Sequence, residues 1–344
     1  MADSVKEEMY GGRIDMNMPI VSLIIVALNE EKALPNLLED IKQQGYQHDR
    51  MDIVLIDSMS KDQTRTIMKN FMNSHDFYRV TCLENPKMLQ APGWNIGLDT
   101  ADGEIIMRLD AHASIPEDFI EKNVRCLERG HDICGGKVMN YIPNATIWMT
   151  VINMLEDSMF GGSVAAFRRK ESAGTVKTLA FAAYRREVFE AVGYFDERLA
   201  RTEDNEIHYR MRCKGYDFFY DPDICSRRET RPSLRKLTRQ KYLNGYWIGL
   251  TLKICPKCIS LYHLIPFLFV SAVVFSSILA FLGVPQFSLL LWVLYGLFAV
   301  VNTVISAVHN GFYIFTLCMP FLFLVLHAAY GVGTLMGLLR KVDF

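Results

Sequence analysis

One long region of the sequence has no charge. Charged residues make up 22% of the 344-residue chain, yet no Asp, Glu, Lys or Arg lies between Lys257 and Arg340. A water-exposed region of that length would carry many charged side chains. This absence excludes a soluble domain at this end of the chain and predicts a region buried in lipid.

Two further absences exclude whole classes of function. The 37 basic and 38 acidic residues give a net charge of -1, without the basic excess of a nucleic-acid-binding protein. Neither a GxGxxG nor a GxxxxGK[ST] motif occurs in the sequence, which counts against dinucleotide binding and P-loop nucleotide hydrolysis.

The spacing of the cysteines indicates no disulfide framework. Eight are scattered along a chain whose first 18 residues are polar and charged, unlike a signal peptide, so reduced thiols are expected. Cys255 and Cys258 form a lone CxxC without the second pair of ligands that a zinc site needs. No role is assigned to this pair.

Apolar runs alternate with helical spacing in the first part of the chain. Residues 20–28 are a β-branched run too short to span a membrane, and an apolar face then recurs over 34–41. Further strands are predicted at 52–56, 80–83 and 104–109, with helices at 62–71 and 92–98. This alternation predicts an α/β domain over residues 19–230, with a parallel sheet covered by helices on both faces. Residues 1–18 are a polar tail.

Three polar residues stand where predicted strands end. These are Asn29, Asp57 and Asp110, and ligands of open α/β sheets bind beyond the carboxyl ends of the strands. Asp57 suits a nucleobase or ribose, since a carboxylate accepts hydrogen bonds from imide N–H groups and sugar hydroxyls. The alternative for Asp57 is a cap on the following turn.

Asp110-Ala-His112 offers a carboxylate and an imidazole at one strand end. This pair suits a divalent cation that bridges the phosphates of a nucleotide-sugar donor, which itself supplies the remaining ligands. A structural cap on the next turn is again the alternative.

Four more residues are candidates for donor binding. Asn29 and Glu30 are expected to open a helix as its N-cap and first-turn acid, and to face the nucleotide sugar as well. Lys87 and Asn95 follow the third strand, within reach of the phosphates or ribose. A solvated surface position is the alternative for Lys87.

Thr202-Glu203-Asp204 precedes a helical pattern, so Thr202 is the predicted N-cap of a helix with two acids in its first turn. The chemical interpretation is that one carboxylate, kept ionised by the helix N-terminus, removes the proton of an acceptor hydroxyl. A single base without a nucleophile predicts inversion of configuration.

Residues 231–258 are basic and aromatic, which suits a segment lying at an anionic membrane face. A solvated helix is the alternative. Basic residues before the apolar region predict that the catalytic domain lies in the cytoplasm, on the inner or plasma membrane.

The apolar region 259–340 divides at 283–286 and at 309–311 into pieces of about 20 residues, the length of a spanning helix. Three spans are predicted. They would put Arg340 and Lys341 outside the cell, against the positive-inside tendency, unless one segment is re-entrant.

The order of these motifs resembles an inverting glycosyltransferase of family 2 with the GT-A fold, a Rossmann-like nucleotide-sugar-binding domain. The strand-NEE, strand-DS, DAH and TED motifs carry this resemblance. Eight motifs in register are similar to the succinoglycan-biosynthesis type: Asn85-Pro-Lys87, Asn95-Ile-Gly97, Arg108-Leu-Asp110-Ala-His112-Ala113, Gly161-Gly162-Ser163, Ala183-Tyr-Arg-Arg-Glu-Val-Phe189, Gly193-Tyr-Phe-Asp196, Glu203-Asp204 and Arg239-Gln240.

The resemblance implies a UDP-sugar donor with uridine contacts at Asp57 and Ser58. It also implies a Mn²⁺ or Mg²⁺ ion at Asp110 and His112, with Asp204 as the base. The implied acceptor is a polyprenyl-diphosphate-linked saccharide at the cytoplasmic membrane face, in exopolysaccharide or capsule assembly. The sequence leaves open whether the protein forms a homo-oligomer.

Candidate residues for the lipid diphosphate are basic or aromatic. Arg168 and Arg169 follow a glycine-rich stretch and could grip a diphosphate bidentately, with a solvated loop as the alternative. Arg239, Gln240 and Trp247 lie in the basic aromatic segment.

Two other functions were weighed. A processive polysaccharide synthase would carry a QxxRW motif, which this sequence lacks, and three spans cannot enclose a polymer channel. A catalytically silent scaffold that binds nucleotide sugar or glycan has no need of a base, so Asp57, Asp110 and Asp204 count against it.

Overall fold

The computed structural model describes residues 18–73, 76–162, 171–230 and 233–341. In this part of the chain an α/β domain is followed by long, largely apolar helices. The C-terminal helices were predicted from the missing charge, and the α/β domain from the alternating apolar pattern.

The first half of the α/β domain has the predicted alternation. Its elements are β1 Val21–Ala27, α1 Leu34–Lys42, β2 Met51–Asp57, α2 Thr64–Met72, β3 Arg79–Glu84, α3 Gln90–Thr100 and β4 Ile105–Asp110. Strands β1 and β2 are almost completely buried, as their continuous apolar runs require. Helix α1 buries Leu34, Leu37, Leu38 and Ile41, which share one face at helical spacing.

The second half of the domain is less regular. Its elements are β5 Ala113–Ser114, α4 Phe119–Glu128, β6 Ile133–Tyr141, α5 Ile147–Asp157, β7 Gly174–Val176, β8 Ala183–Arg185, α6 Arg186–Val192, α7 Glu203–Cys213 and β9 Phe218–Glu229. Strands of two or three residues such as β5, β7 and β8 are too short to show any period in the sequence.

All these strands join one sheet in the order β3-β2-β1-β4-β8-β6-β9-β5, with β7 also paired to β9. Strands β1 to β4 are parallel, as predicted. Beyond β4 the prediction of a parallel sheet is wrong, because β8 runs antiparallel to both β4 and β6. The carboxyl ends of β1, β2 and β4 still meet at one edge.

A buried polar network closes the opposite edge of the sheet. The Ser22 hydroxyl donates to Asp52 Oδ2 at 2.6 Å, and the Arg79 guanidinium donates to both Asp52 oxygens at 2.8 and 2.9 Å. The Asp102 backbone N–H donates to the same carboxylate at 2.9 Å. Asp52 therefore ties β1, β2, β3 and the turn before β4 together.

Four long helices follow: α8 Leu234–Ile254, α9 Ile265–Phe281, α10 Gln286–Asn310 and α11 Met319–Leu339. Among the described residues, three candidate spans, Leu261–Phe281, Gln286–Asn310 and Ile314–Leu339, are long and apolar enough to cross a membrane, with mean hydropathies of 2.4, 2.1 and 1.8. Their number matches the three predicted spans, and that these helices cross a membrane stays a prediction.

Helix α8 lies against α11 with almost no side chains between the two backbones. A Cβ at Gly245 of α8 would lie 2.0 Å from the Tyr330 carbonyl oxygen, and one at Gly337 of α11 would lie 2.0 Å from the Tyr246 carbonyl oxygen. Such small-residue seams are typical of helix pairs in membranes. The predicted interface segment is therefore a helix packed tightly on a candidate span.

Helix α5 and the turn after it form a second contact with the apolar helices. The Phe160 ring packs against Tyr295 of α10 and against Phe323 and His327 of α11. Its carbonyl oxygen is 2.6 Å from Nε2 of His327, which can donate to it. The α/β domain is thus attached to the apolar helices at two separate places.

Replacing Asp52 by alanine should lower the free energy of unfolding by about 2–4 kcal/mol, because the buried Ser22 hydroxyl and the partly buried donors of Arg79 and Asp102 lose their acceptor. Denaturant unfolding in detergent, followed by tryptophan fluorescence, measures this loss. Glu39→Ala is the control, since it removes only exposed contacts, the pair with Lys42 at 3.5 Å and a hydrogen bond from Gln43 at 3.2 Å, and should change stability little. Equal stability of the two variants would contradict the assigned role of Asp52.

Candidate active site

Asn29 sits in a tight loop at the end of β1. It has a left-handed backbone (φ 56), its N–H donates to Ser60 Oγ at 2.9 Å, and its Oδ1 accepts from the Lys61 N–H at 2.8 Å. The prediction that Asn29 opens a helix is wrong, because α1 begins at Leu34 with Pro35 in its first turn. Asn tolerates the left-handed region, which explains the residue type here.

Glu30 reaches the predicted metal ligands. Its N–H donates to Thr64 Oγ1 at 2.8 Å, and its Oε1 lies 3.2 Å from His112 Nδ1. His112 Nε2 is in turn 3.9 Å from Asp110 Oδ2. Burial acts to lower the pKa of His112, but the Glu30 hydrogen bond and the Asp110 charge raise it above its ordinary value.

The described residues contain no group of three or more His, Cys, Asp and Glu side chains arranged to hold a metal ion. Asp110 and His112 nevertheless offer the oxygen and nitrogen ligands that suit Mn²⁺. With His112 Nδ1 engaged by Glu30, Nε2 is left as the ligand atom, an arrangement common at metal-bound histidines. The pair fits a cation whose other ligands come from a diphosphate.

Two clefts open at this edge of the sheet. The larger, of about 630 Å³, is lined by Asn29, Glu30, Glu31, Lys32, Ala33, Asp62, His112, Glu156, Arg228, Glu229, Thr230, Ser233, Lys236, Leu237 and Gln240. The smaller, of about 330 Å³, is lined by Gln90, Trp94, Arg108, Asp110, Ala180, Phe181, Ala200, Arg201, Glu203, Asp204 and Asn244. His112 faces the first cleft and Asp110 the second, so the predicted metal ligands stand between them.

An ion pair between the largely buried Arg108 and the half-exposed Asp204 forms the floor of the smaller cleft. The Arg108 guanidinium lies 2.7 Å from Asp204 Oδ1, and its side chain is only 11% exposed. Its carbon atom is 4.5 Å from the Trp94 ring centre and 4.6 Å from that of Phe195, so an aromatic ring lies on each side. Charge, ring faces and carboxylate together fix the Asp204 side chain.

The two neighbouring carboxyls of α7 have opposite protonation behaviour. Burial acts to raise the pKa of Asp204, but the Arg108 charge outweighs it and holds the pKa below its usual value. Burial, then the Asp204 charge, raises the pKa of Glu203 to about 8. At neutral pH Asp204 is therefore ionised and Glu203 carries a proton, a division typical of catalytic carboxyl pairs.

His208 supports this site from behind. Its Nδ1 is 2.8 Å from Thr178 Oγ1 and its Nε2 is 2.9 Å from the Tyr184 hydroxyl. Burial lowers its pKa to about 4, so the ring is neutral at pH 7. Two hydroxyl partners with a neutral ring indicate a structural role.

Asp57 and Ser58 are buried at the end of β2. Asp57 Oδ1 accepts from the Ser60 N–H at 3.0 Å, the turn cap that was the alternative for this residue. Ser58 Oγ accepts from Asn85 Nδ2 at 3.0 Å. Neither lines the two clefts, so uridine contacts there stay a prediction.

Asn95 and Lys87 contact the loop before α7, and donor contacts of these two residues stay a prediction. The Asn95 amide donates to the Phe195 carbonyl at 3.0 Å and accepts from the Phe195 N–H at 2.9 Å, so it holds the ring that covers Arg108. Lys87 pairs with Glu197, which also accepts from Asn95. Asn95 thus ties α3, and Lys87 the loop before α3, to the loop before α7, and neither residue lines either cleft.

The predicted acceptor residues are separated. Gln240 lines the larger cleft, together with Lys236 one turn earlier on α8. Arg239 and Trp247 lie on the same helix and line neither of the two clefts. Arg168 and Arg169 lie outside the described residues.

Arg108 and Trp94 were not predicted as site residues. A signal for Arg108 was available, because residues two apart on a strand share a face, and Arg108 stands two before Asp110 on β4. Trp94 carried no such signal, since its partner Arg108 is found only once α3 is packed against the sheet.

The mixed sheet and the strand-end carboxylates define a GT-A-like glycosyltransferase domain. The family model for glycosyl transferase family 2 matches residues 22–193, half of the chain. The protein belongs to this family.

The chain is also similar in sequence to two named relatives. The chain is 25% identical over 242 residues to the dolichyl N-acetyl-α-D-glucosaminyl phosphate 3-β-D-2,3-diacetamido-2,3-dideoxy-β-D-glucuronosyltransferase of Methanococcus voltae, covering 69% of this chain and 75% of the relative. It is 27% identical over 197 residues to the succinoglycan biosynthesis protein ExoA of Rhizobium meliloti, covering 56% of this chain and 58% of that protein.

One solved structure matches nearly the whole chain. The mannosyltransferase PcManGT from Pyrobaculum calidifontis, in complex with GDP-Man and Mn²⁺, aligns with a TM-score of 0.62 and 19% identity over 96% of this chain and 92% of its own. At this identity the likeness shows a shared fold.

Arg108→Lys should lower the free energy of unfolding by about 1–3 kcal/mol, because an ammonium keeps the charge but cannot stack on the two rings as a planar guanidinium does. Thermal unfolding in detergent measures the change. Arg125→Lys is the matched control, since Arg125 pairs with Glu121 on the exposed face of α4. An Arg108→Lys protein no less stable than its control would show that the ring contacts contribute nothing.

Proposed function

We propose that this protein is a membrane-bound inverting glycosyltransferase that transfers one sugar from a UDP-sugar to a polyprenyl-diphosphate-linked saccharide, in exopolysaccharide or capsule assembly. The observation that carries the proposal is that Asp204, whose pKa the Arg108 charge lowers, lines the same cleft as Asp110. A base and a diphosphate-binding carboxylate facing one small cavity are what sugar transfer to a hydroxyl needs.

The proposed reaction is a single displacement. Asp204 takes the proton of the acceptor hydroxyl, whose oxygen bonds to the anomeric carbon as the bond from that carbon to the donor diphosphate breaks. Nucleoside diphosphate leaves with the bonding electron pair, and attack from the opposite side inverts the anomeric configuration. Asp110 and His112 would hold a Mn²⁺ or Mg²⁺ ion, which when bound supplies positive charge for the diphosphate.

The donor is proposed to lie across both clefts. Its diphosphate sits at Asp110 and His112, its sugar enters the smaller cleft beside Asp204, and its nucleoside extends towards Asn29 and Asp57 at the neighbouring strand ends. Protonated Glu203 adds no second negative charge next to the base, which favours binding of an anionic donor.

A lipid-linked acceptor is supported by the apolar helices and by the relatives. The Methanococcus voltae relative is named for a dolichyl-linked sugar phosphate, and ExoA for succinoglycan biosynthesis. Gln240 and Lys236 line the larger cleft on α8, which packs on the apolar span α11. The acceptor diphosphate is therefore assigned to the α8 side of this cleft.

Nucleotide release by the purified, detergent-solubilised protein tests the proposal. The panel contains UDP-sugars and GDP-mannose, each with Mn²⁺, Mg²⁺ or EDTA, and a polyprenyl-diphosphate-linked glycan as acceptor. Metal-dependent turnover of one UDP-sugar, with one sugar added per acceptor, supports the proposal. Turnover of GDP-mannose alone would overturn the donor assignment, and nucleotide binding without any turnover would indicate the silent scaffold.

Asp204→Asn and Asp110→Asn should separate chemistry from donor binding. Asp204→Asn removes the base and should lower kcat by about 10³-fold or more while nucleotide binding is kept, whereas Asp110→Asn should also weaken metal-dependent nucleotide binding. Turnover assays and calorimetric titration with UDP and Mn²⁺ measure the two effects. Equal loss of nucleotide binding in both variants would contradict the division of roles.

Removing the Arg108 charge should move the pH profile. Arg108 lowers the pKa of Asp204, so wild-type base stays ionised as the pH falls, and without that charge the base is protonated at a higher pH. Arg108→Gln should therefore shift the acid limb of kcat upward by about 1–3 pH units, with Arg125→Gln unchanged. An unshifted limb would mean that Asp204 is not the titrating base.

A further inference from the structure

The start of α7, which carries Glu203 and Asp204, is not capped in the usual way. Thr202 holds the N-cap position, but its hydroxyl makes no cap hydrogen bond. By contrast, Thr146 and Ser233 each accept from a backbone N–H of the helix they begin, at 3.2 Å. The Thr202 side chain is used elsewhere.

The partner of Thr202 is on α8. Its Oγ1 lies 2.6 Å from Oγ1 of Thr251, and the two residues are 3% and 0% exposed. Thr251 donates its own hydroxyl proton to the Trp247 carbonyl at 2.6 Å, so it accepts the proton of Thr202. Both hydroxyls are satisfied only while α7 and α8 keep this relative position.

A second hydrogen bond lies on the same face of α8. Arg201, the residue before Thr202, donates from Nη1 to Asn244 Oδ1 at 3.1 Å. Asn244 stands two turns before Thr251 on α8, so the two side chains share one face. That face therefore holds the two residues that immediately precede the catalytic carboxyls.

Helix α8 is itself fixed by α11. A Cβ at Gly249 would lie 2.3 Å from the Thr334 carbonyl oxygen, and one at Gly333 would lie 2.1 Å from the Tyr242 carbonyl oxygen. With backbones this close, α8 cannot slide or turn without steric overlap. The contacts thus run from an apolar span through α8 to Thr202, the N-cap residue of the helix that carries Asp204.

We infer that Thr251 is a positioning residue: its hydroxyl, on a helix packed against the membrane spans, fixes where Asp204 stands relative to an acceptor held at the membrane. The inference rests on the proposed function. Thr251 lines neither of the two clefts, so it acts through Thr202 and not by direct contact with a substrate. Its loss should therefore act on kcat, since displacement of a base by a fraction of an ångström slows proton transfer.

The variants are Thr251→Val, which keeps the shape and removes the hydroxyl, and Thr251→Ser, which restores it. Thr251→Val should lower kcat by about 10-fold or more with the donor KM unchanged, and Thr251→Ser should recover most of that loss. Thr303→Val on α10 is the matched control, because its hydroxyl also donates to the carbonyl four residues earlier, at 2.8 Å. Thermal unfolding of each variant shows that it folds.

Thr202→Val tests the same hydrogen bond from the other side. Its effect should equal that of Thr251→Val, and the double variant should lose no more than either alone. Wild-type protein without transfer activity would overturn the proposed function. If the wild type is active, three results would overturn this inference alone. They are an undiminished kcat in Thr251→Val, a loss of kcat in Thr251→Ser as large as that in Thr251→Val, and a raised donor KM in Thr251→Val.

Discussion

The site depends on the ion pair between Arg108 and Asp204. A guanidinium buried between two rings is stable only with a carboxylate beside it, so the pair fixes β4 and α7 at one distance. The aromatic partners extend this constraint to α3 through Trp94 and to the loop before α7 through Phe195. Asn95 supports the same ion pair indirectly, because it holds the Phe195 backbone by two hydrogen bonds.

The Arg108 charge also explains why the neighbouring Glu203 and Asp204 have different pKa values. Asp204 faces Arg108 and stays ionised, whereas Glu203, buried beside that negative charge, keeps its proton. The N-terminus of a helix would stabilise two ionised acids equally, so the backbone alone cannot produce the difference. The difference in pKa depends on Arg108, a side chain from β4. For this reason the adjacent residues Glu203 and Asp204 do not reveal from sequence alone which of them is charged.

Elements that extend over many residues were predictable from the sequence, whereas very short strands and contacts between distant residues were not. The parallel strands β1 to β4 and the three apolar spans follow from runs of many residues, and Asp110 and His112 follow from their place at a strand end. Strand β8 has three residues and no period, so the antiparallel half of the sheet was missed. The bond between Thr202 and Thr251 joins residues 49 apart, and no local pattern records it.

The two attachments of the α/β domain to the apolar helices have a consequence for substrate selection. Phe160 is held by α10 and α11, while α8 is held by α11, so two separate contacts resist a swing of the domain. In the proposed reaction, the height of Asp204 above the membrane is then set by the fold. Such an enzyme measures its acceptor: a glycan whose reacting hydroxyl stands too near its lipid anchor, or too far from it, does not reach the base.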